Sequence, residues 1–228
     1  MGQSIFVEKG VEIMMINIVA GGPGRYIPEL KVYDGELVKW VGVDRGVYTL
    51  LEQSIEPWVA FGDFDSVTDE EWDLIQEKVQ EVNRYKPEKD ETDLELALNW
   101  AIDQNPDKIN IFGATGGRLD HFMGNLQLLM TPKLLDKDIE VEIIDVQNRL
   151  YLAKSGEHSV EKSPELQYIS FVPVTQSVEG ITLSGFKYPL KNRNISRGST
   201  LCISNELIQS SGTFSFSNGI LMVIRSSD

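Results

Sequence analysis

Four apolar runs dominate the first half of the chain, and each ends in glycines or acids. Residues 14–20 run into Gly21-Gly22-Pro23-Gly24, and residues 37–43 into Asp44-Arg45-Gly46. Residues 57–61 run into Gly62-Asp63-Phe64-Asp65-Ser66, and residues 108–112 into the glycine-rich stretch 113–121. Runs that are apolar on both faces predict buried strands of a parallel sheet. Helical patterns alternate with them. Trp72, Ile75 and Val79 recur at three- and four-residue spacing, which predicts a helix over 69–82. Residues 94–102 read as a second helix, and Phe122, Leu126 and Leu129 mark one face of a third. Residues 47–53 predict a shorter one, and residues 82–87 a bridging segment. Strands alternating with helices give an α/β domain with a mainly parallel sheet.

From Asp138 the texture changes. Short strand-like runs follow one another at 140–145, 148–153, 156–160, 168–173, 177–183, 200–204, 212–216 and 221–224. Turn residues separate them, and residues 214–219 look like a hairpin. This predicts a second, all-β domain, a sandwich. The chain therefore divides into an extension at 1–14, an α/β domain at 15–136 and a β-sandwich at 137–228.

Composition narrows the partners. At 228 residues the chain is long enough for one or two domains with a sizeable core. A net charge of −14 argues against nucleic acid or an anionic membrane as main partner. It also means that any polyphosphate needs a metal ion and local basic groups to offset the protein's own field. The single cysteine, Cys202, excludes an internal disulfide framework and fits a reducing cytoplasm. No apolar run approaches the roughly 20 residues of a membrane span. Residues 1–12 carry Glu8, Lys9 and Glu12 and lack the core of a signal peptide.

The chemistry gathers where strands end. Asp63 and Asp65 sit two apart at the carboxyl end of a predicted strand, where open parallel sheets bind ligands. Paired carboxylates there suit a hard cation such as Mg²⁺ carrying a polyphosphate. Aspartate is also a favoured turn and cap residue, so Asp65 or Ser66 could simply start the next helix. Asp44 reads either as a helix cap or as a third carboxylate facing the same crevice. Thr92 or Asp93 caps the helix that follows, although several acids cluster there. Gly21 and Gly22 would let backbone N–H groups approach a phosphate, or form an ordinary turn. The glycine loop at 113–117 opens a helix, a favourable place for an anion, and Arg118 could clamp a phosphate. His121 reads as a capping or packing residue. With two histidines and one cysteine, Ser-His-Asp or Cys-His sets are hard to assemble.

Taken together, these stretches resemble the thiamin pyrophosphokinase family. The matching segments are 43–46, 62–66, 90–93 and 113–121, followed by 198–206 and 219–221. The likeness spans about residues 16–224. It implies a cytoplasmic homodimer with an α/β ATP- and Mg²⁺-binding catalytic domain and a β-sandwich thiamin-binding and dimerisation domain. It implies transfer of a pyrophosphoryl group from ATP to the thiamin hydroxyl, with AMP released. By the same resemblance Asp44, Asp63, Asp65 and Asp93 surround Mg²⁺, the last three being catalytic. Gly21, Gly22, Asp44, Thr92, Gly116, Arg118, Asp120 and His121 lie along the nucleotide. Ser204 and Asn205, from the partner subunit, line the thiamin pocket.

Two other functions are open to such a chain. A nicotinamide-dependent oxidoreductase needs a G-x-G-x-x-G fingerprint after the first strand, and Gly21-Gly22-Pro23-Gly24 does not supply it. A non-catalytic nucleotide or thiamin sensor needs the fold but not five acids at strand ends.

Overall fold

A computed structural model describes residues 13–64, 67–84 and 90–228. The chain forms two compact units. The first gathers the described residues within 1–21, 29–110 and 131–140, and the second those within 22–28, 111–130 and 141–228.

In the first unit, β1 (Met15–Val19), β2 (Val38–Val43), β3 (Val59–Gly62) and β4 (Glu81–Arg84) pair in that order, all parallel. Strand β5 (Lys108–Phe112) lies on the other side of β1. Helices α1 (Arg45–Glu52), α2 (Asp69–Lys78) and α3 (Asp93–Asp103) connect the strands. Ile16, Ile18, Val41, Val59 and Ala60 have no exposed surface, as a sheet covered on both faces requires. Ala97, Ala101 and Ile102 of α3 are equally buried. The small side chains of Ala97 and Ala101 allow a close approach of helix to sheet.

Two boundaries differ from the sequence reading. Helix α2 stops at Lys78, and Val82 belongs to β4 rather than to the helix or a bridge. Val79 takes an extended conformation (φ −98°, ψ 126°), which ends the helix. Strand β4 lies at the end of the sheet order, and Glu81-Val-Asn-Arg84 carries the polar residues that edge strands favour.

The second unit is β-rich and antiparallel. Strand β6 (Glu140–Ile144) pairs with β7 (Asn148–Glu161). The others are β8 (Tyr168–Pro173), β9 (Ser177–Ser184), β10 (Leu190–Ser196), β11 (Asn205–Glu206) and β12 (Ser211–Ser226). Strand β12 pairs with β7 along nearly its whole length, with β9 through Thr213–Asn218 and with β8 through Leu221–Ser226. One long strand thus serves three partners, and Phe171, Val178, Ile181, Phe214 and Leu221 close on a single apolar core.

Helix α4 (Leu119–Leu128) belongs to the same unit. Residues 148–153 and 156–160 are one strand, and 212–216 and 221–224 are another. The hairpin reading of 214–219 is therefore replaced by a bend within β12: Gly219 (φ 102°) sits at a register shift. Residues 200–204 form a turn, not a strand: the run Leu201-Cys202-Ile203 buries only Cys202 and leaves both neighbours exposed.

Candidate active site

Two predicted acids, Asp44 and Asp63, follow the ends of neighbouring parallel strands. The β2–β3 register places Val43 beside Phe61, and the Asp44 N–H donates to the Phe61 carbonyl at 2.8 Å. Asp44 is thereby held against Gly62, one residue before Asp63. The approach is so close that a Cβ on Gly62 would collide with Asp44 Oδ1 and stand 3.3 Å from Asp44 Cα. Gly62 also has φ +154°, a region that other residues rarely enter. Asp44 itself sits at φ 49° and Phe64 at φ 58°. Three unusual backbone conformations within one strand-end pair are typical of a functional loop. Asp44 occupies the cap position of α1, yet its side chain makes no capping hydrogen bond. Local helix chemistry therefore does not account for this aspartate.

The loop between Asp63 and α2 is anchored at both ends. Phe64 is buried with Val47, Ala60 and Ile75, and its ring lies 5.1 Å from that of Trp72. Thr68 starts α2 through a reciprocal capping box, its Oγ1 accepting from Glu71 N–H at 3.2 Å while Glu71 Oε2 accepts from Thr68 N–H at 2.9 Å. Glu71 also lies 4.0 Å from Arg45, the residue after Asp44. Helix α2 thus starts from Thr68 rather than from Asp65 or Ser66, both of which lie outside the described residues. Lys89 lies outside them as well. Thr92 caps α3, its hydroxyl accepting from Glu95 N–H at 3.2 Å, and Asp93 occupies the first turn. Gly21 ends β1 beside this corner: a Cβ there would stand 3.7 Å from Arg45 Cβ and 3.8 Å from Asp44 Cβ. Among the described residues no three His, Cys, Asp or Glu side chains cluster closely enough to hold a metal ion.

The second unit carries the glycine turn. Gly113 (φ 65°) and Gly116 (φ 75°) take left-handed conformations. The Gly22 N–H donates to the Gly113 carbonyl at 2.9 Å, and a side chain on Gly22 would strike that carbonyl. The Tyr26 ring fills the space that a side chain on Gly116 would need. The Thr115 hydroxyl donates to Asp145 Oδ2 at 2.7 Å, and Asn125 Nδ2 donates to the Ala114 carbonyl at 2.9 Å. Sequence reasoning singled out Gly22 and Gly116 but missed Tyr26, Asn125 and Asp145. No local motif marks these three, since their role exists only through contacts distant in sequence.

Beyond the turn, Arg118 holds Asp120 through two hydrogen bonds, Nε to Oδ1 at 3.1 Å and Nη2 to Oδ2 at 2.5 Å. The His121 N–H adds a third, to Oδ1 at 2.9 Å. The Arg118 contact, helped by the His121 amide, lowers the Asp120 carboxyl to about 2. All three residues are exposed at the first turn of α4, with backbone donors and a guanidinium presented to solvent.

The remaining predicted pair lies in the β-rich unit. Ser204 is exposed with φ 54°, and its N–H donates to Ser170 Oγ at 2.9 Å. Asn205 is buried. Its Oδ1 accepts from Tyr188 N–H at 3.0 Å and Glu206 N–H at 2.9 Å, while Nδ2 donates to the Tyr188 carbonyl at 2.9 Å. Asn205 therefore clamps the backbone of Tyr188, whose ring remains 57% exposed. An aromatic face fixed beside Ser204 is a further feature that sequence reasoning did not reach.

Acids at neighbouring parallel strand ends in one unit, and a glycine turn opening a helix in the other, are each fittings of phosphate-handling α/β proteins. The comparisons narrow this class. Residues 36–143 match the thiamin pyrophosphokinase catalytic domain, and residues 157–221 match its vitamin B1 binding domain. The chain belongs to the thiamin pyrophosphokinase family. It is 53% identical over 213 residues to thiamine pyrophosphokinase of Bacillus subtilis, covering 93% of this chain and 99% of that one. The crystal structure of thiamine pyrophosphokinase from Bacillus subtilis superposes with TM-score 0.88 at 51% identity, over 94% of this chain and 99% of that one. That of the Geobacillus thermodenitrificans protein gives 0.84 at 54% identity, over 94% and 98%.

Proposed function

We propose that the protein is a thiamin diphosphokinase, transferring the pyrophosphoryl group of ATP to the hydroxyl of thiamin and releasing AMP. The observation that carries this reading is the family match in both parts of the chain, joined to the close approach of Asp44 to Gly62, the residue before Asp63. We read residues 15–136 as the catalytic domain and 137–228 as the thiamin-binding and dimerisation domain. Residues 1–14 are read as an extension.

The donor set suits Mg²⁺. Hard carboxylate oxygens on a rigid strand-end frame match its preference, and one or two such ligands suffice when substrate phosphates supply others. Of the candidates Asp44, Asp63, Asp65 and Asp93, one or two would hold it beside the phosphates, since no three described acids cluster around one point, and bound there it would offset phosphate charge against the incoming oxygen. The chain's own part is positioning. Gly21 and Gly22 allow backbone approach, and Thr92 and Asp93 start α3. The turn with Gly116, then Arg118, Asp120 and His121, would receive nucleotide phosphate. The thiamin hydroxyl oxygen forms a bond to the β-phosphorus as the bond between that phosphorus and the α–β bridging oxygen breaks; the electron pair of that bond leaves with AMP, and the hydroxyl proton passes to an aspartate or to water. Phosphoryl-type transfer asks the protein mainly to align these atoms and neutralise charge.

Thiamin carries a fixed positive charge, which an acidic protein attracts. Tyr188 offers an aromatic face to such a cation, and Ser204 and Asn205 define the pocket wall around it. In this account the pocket is completed by a second subunit, so the working form is a homodimer, and it acts in the cytoplasm. No described helix is long and apolar enough to cross a membrane. Incubation with ATP, Mg²⁺ and thiamin tests the proposal: AMP and thiamin diphosphate should appear in equal amounts. ATP consumption that is independent of thiamin would refute it.

A further inference from the structure

We propose that Asp145 is a positioning residue for the glycine turn, setting through Thr115 the shape in which that turn receives ATP. The proposal rests on the nucleotide role of residues 113–121 given above.

Asp145 follows the last residue of β6 and is only 8% exposed. A buried carboxylate is costly unless several donors surround it. Its own turn provides two: Gln147 N–H donates to Oδ1 at 2.8 Å, and Asn148 Nδ2 reaches both oxygens at 3.0 and 3.2 Å. The Asp145 N–H in turn donates to the Asn148 carbonyl at 2.9 Å. The carboxylate is therefore fixed by the β6–β7 connection before it touches anything distant. Its remaining contact is the 2.7 Å bond from the Thr115 hydroxyl, thirty residues away, and a hydroxyl bonded to a carboxylate is among the stronger neutral-to-charged hydrogen bonds.

The next residue adds a second point of support. The Val146 N–H donates to the Tyr26 carbonyl at 3.1 Å, and the Tyr26 ring lies where a Gly116 side chain would be. Two consecutive residues thus fix two consecutive positions of the turn, Thr115 directly and Gly116 through Tyr26. Gly113 and Ala114 are held by Gly22 and Asn125. Residues 116–121 are exposed, the part left to meet a ligand. A turn held in this way meets the nucleotide without an ordering cost, which raises affinity for ATP and leaves thiamin unaffected.

The test compares Thr115→Val, which keeps shape and loses the hydroxyl, with Thr115→Ser, which restores it, and with Asp145→Asn. ATP affinity is measured directly by equilibrium dialysis without thiamin, alongside KM for both substrates and the melting temperature. Thr115→Val should weaken ATP binding about tenfold, the equivalent of about 1.4 kcal/mol. It should leave KM for thiamin within about twofold, and Thr115→Ser should recover most of the loss. Asp145→Asn should follow Thr115→Val in ATP affinity. Wild-type ATP affinity in a folded Thr115→Val protein overturns the inference. So does a loss that Thr115→Ser does not rescue, or that falls equally on both substrates. Because ATP affinity is read without thiamin, absence of AMP formation by the wild-type protein would count against the reaction alone.

Discussion

Replacing Gly62 by alanine tests the corner where Asp44 lies against Gly62. Two costs can be separated from the structure. Placing a side chain at φ +154° strains the backbone, at about 1–3 kcal/mol. The new Cβ also collides with Asp44 Oδ1 and crowds Asp44 Cα, and overpacking of this kind costs about 1–3 kcal/mol more. The sum is about 2–6 kcal/mol, or a fall in melting temperature of roughly 5–20 °C for a chain of this size. Two controls divide the terms. Gly198 has φ +87° with nothing within 4 Å, so Gly198→Ala carries strain alone. Gly24 has ordinary φ and open space, so Gly24→Ala should melt within about 2 °C of wild type. Scanning calorimetry on the four proteins gives the order Gly62→Ala, Gly198→Ala, Gly24→Ala from least to most stable. Thiamin-dependent AMP release should fall sharply only in Gly62→Ala, since only there is Asp44 displaced. If Gly62→Ala melts with Gly198→Ala and retains full activity, the close approach of Asp44 to Gly62 is wrong.

Two further outcomes follow from single groups. Asp120 titrates at about 2 because Arg118 and the His121 amide favour its ionised form. A folded value lowered in this way is a contact present above the ordinary carboxylate range and lost as pH falls through about 2. In Arg118→Ala, carboxyl-carbon NMR should show Asp120 moving up toward its ordinary 3.8; an unmoved value would show that the ion pair is absent in solution. Cys202 is 4% exposed, and burial raises its thiol above the usual value. It should react with a disulfide reagent at neutral pH at least about tenfold more slowly in the folded than in the unfolded protein. Equal rates would show that the 200–204 turn opens freely.

Much of the first unit was legible because strands buried on both faces leave continuous apolar runs. Residues 108–112 were delimited at both ends, and the acids at 44 and 63 followed from where the runs stop. Strand β4 was not legible, since Glu81-Val-Asn-Arg84 carries no such run. In the β-rich unit Gly156 and Gly219 looked like turns that end strands, whereas they bend strands that continue. Leu201-Cys202-Ile203 looked like a strand because apolarity was read as burial, although only Cys202 faces inward. At the site, Gly22 and Gly116 were visible as glycines, but the carbonyl of Gly113 and the ring of Tyr26 that require them were not. Asp145 was invisible for the same reason: its meaning lies in a hydroxyl thirty residues away. Asn205 was visible as a polar residue, and its grip on Tyr188 only through the fold.

The proposed function has aspartates from neighbouring strand ends share one divalent cation with the triphosphate. Its most direct test is the Mg²⁺ dependence of thiamin-dependent AMP release in Asp63→Asn against wild type, a change that keeps shape and removes charge. On the proposed metal role of Asp63, the change should cut the rate at least about a hundredfold and raise the Mg²⁺ needed for half-maximal rate about tenfold. An Asp63→Asn protein with the wild-type rate and Mg²⁺ requirement would contradict the account.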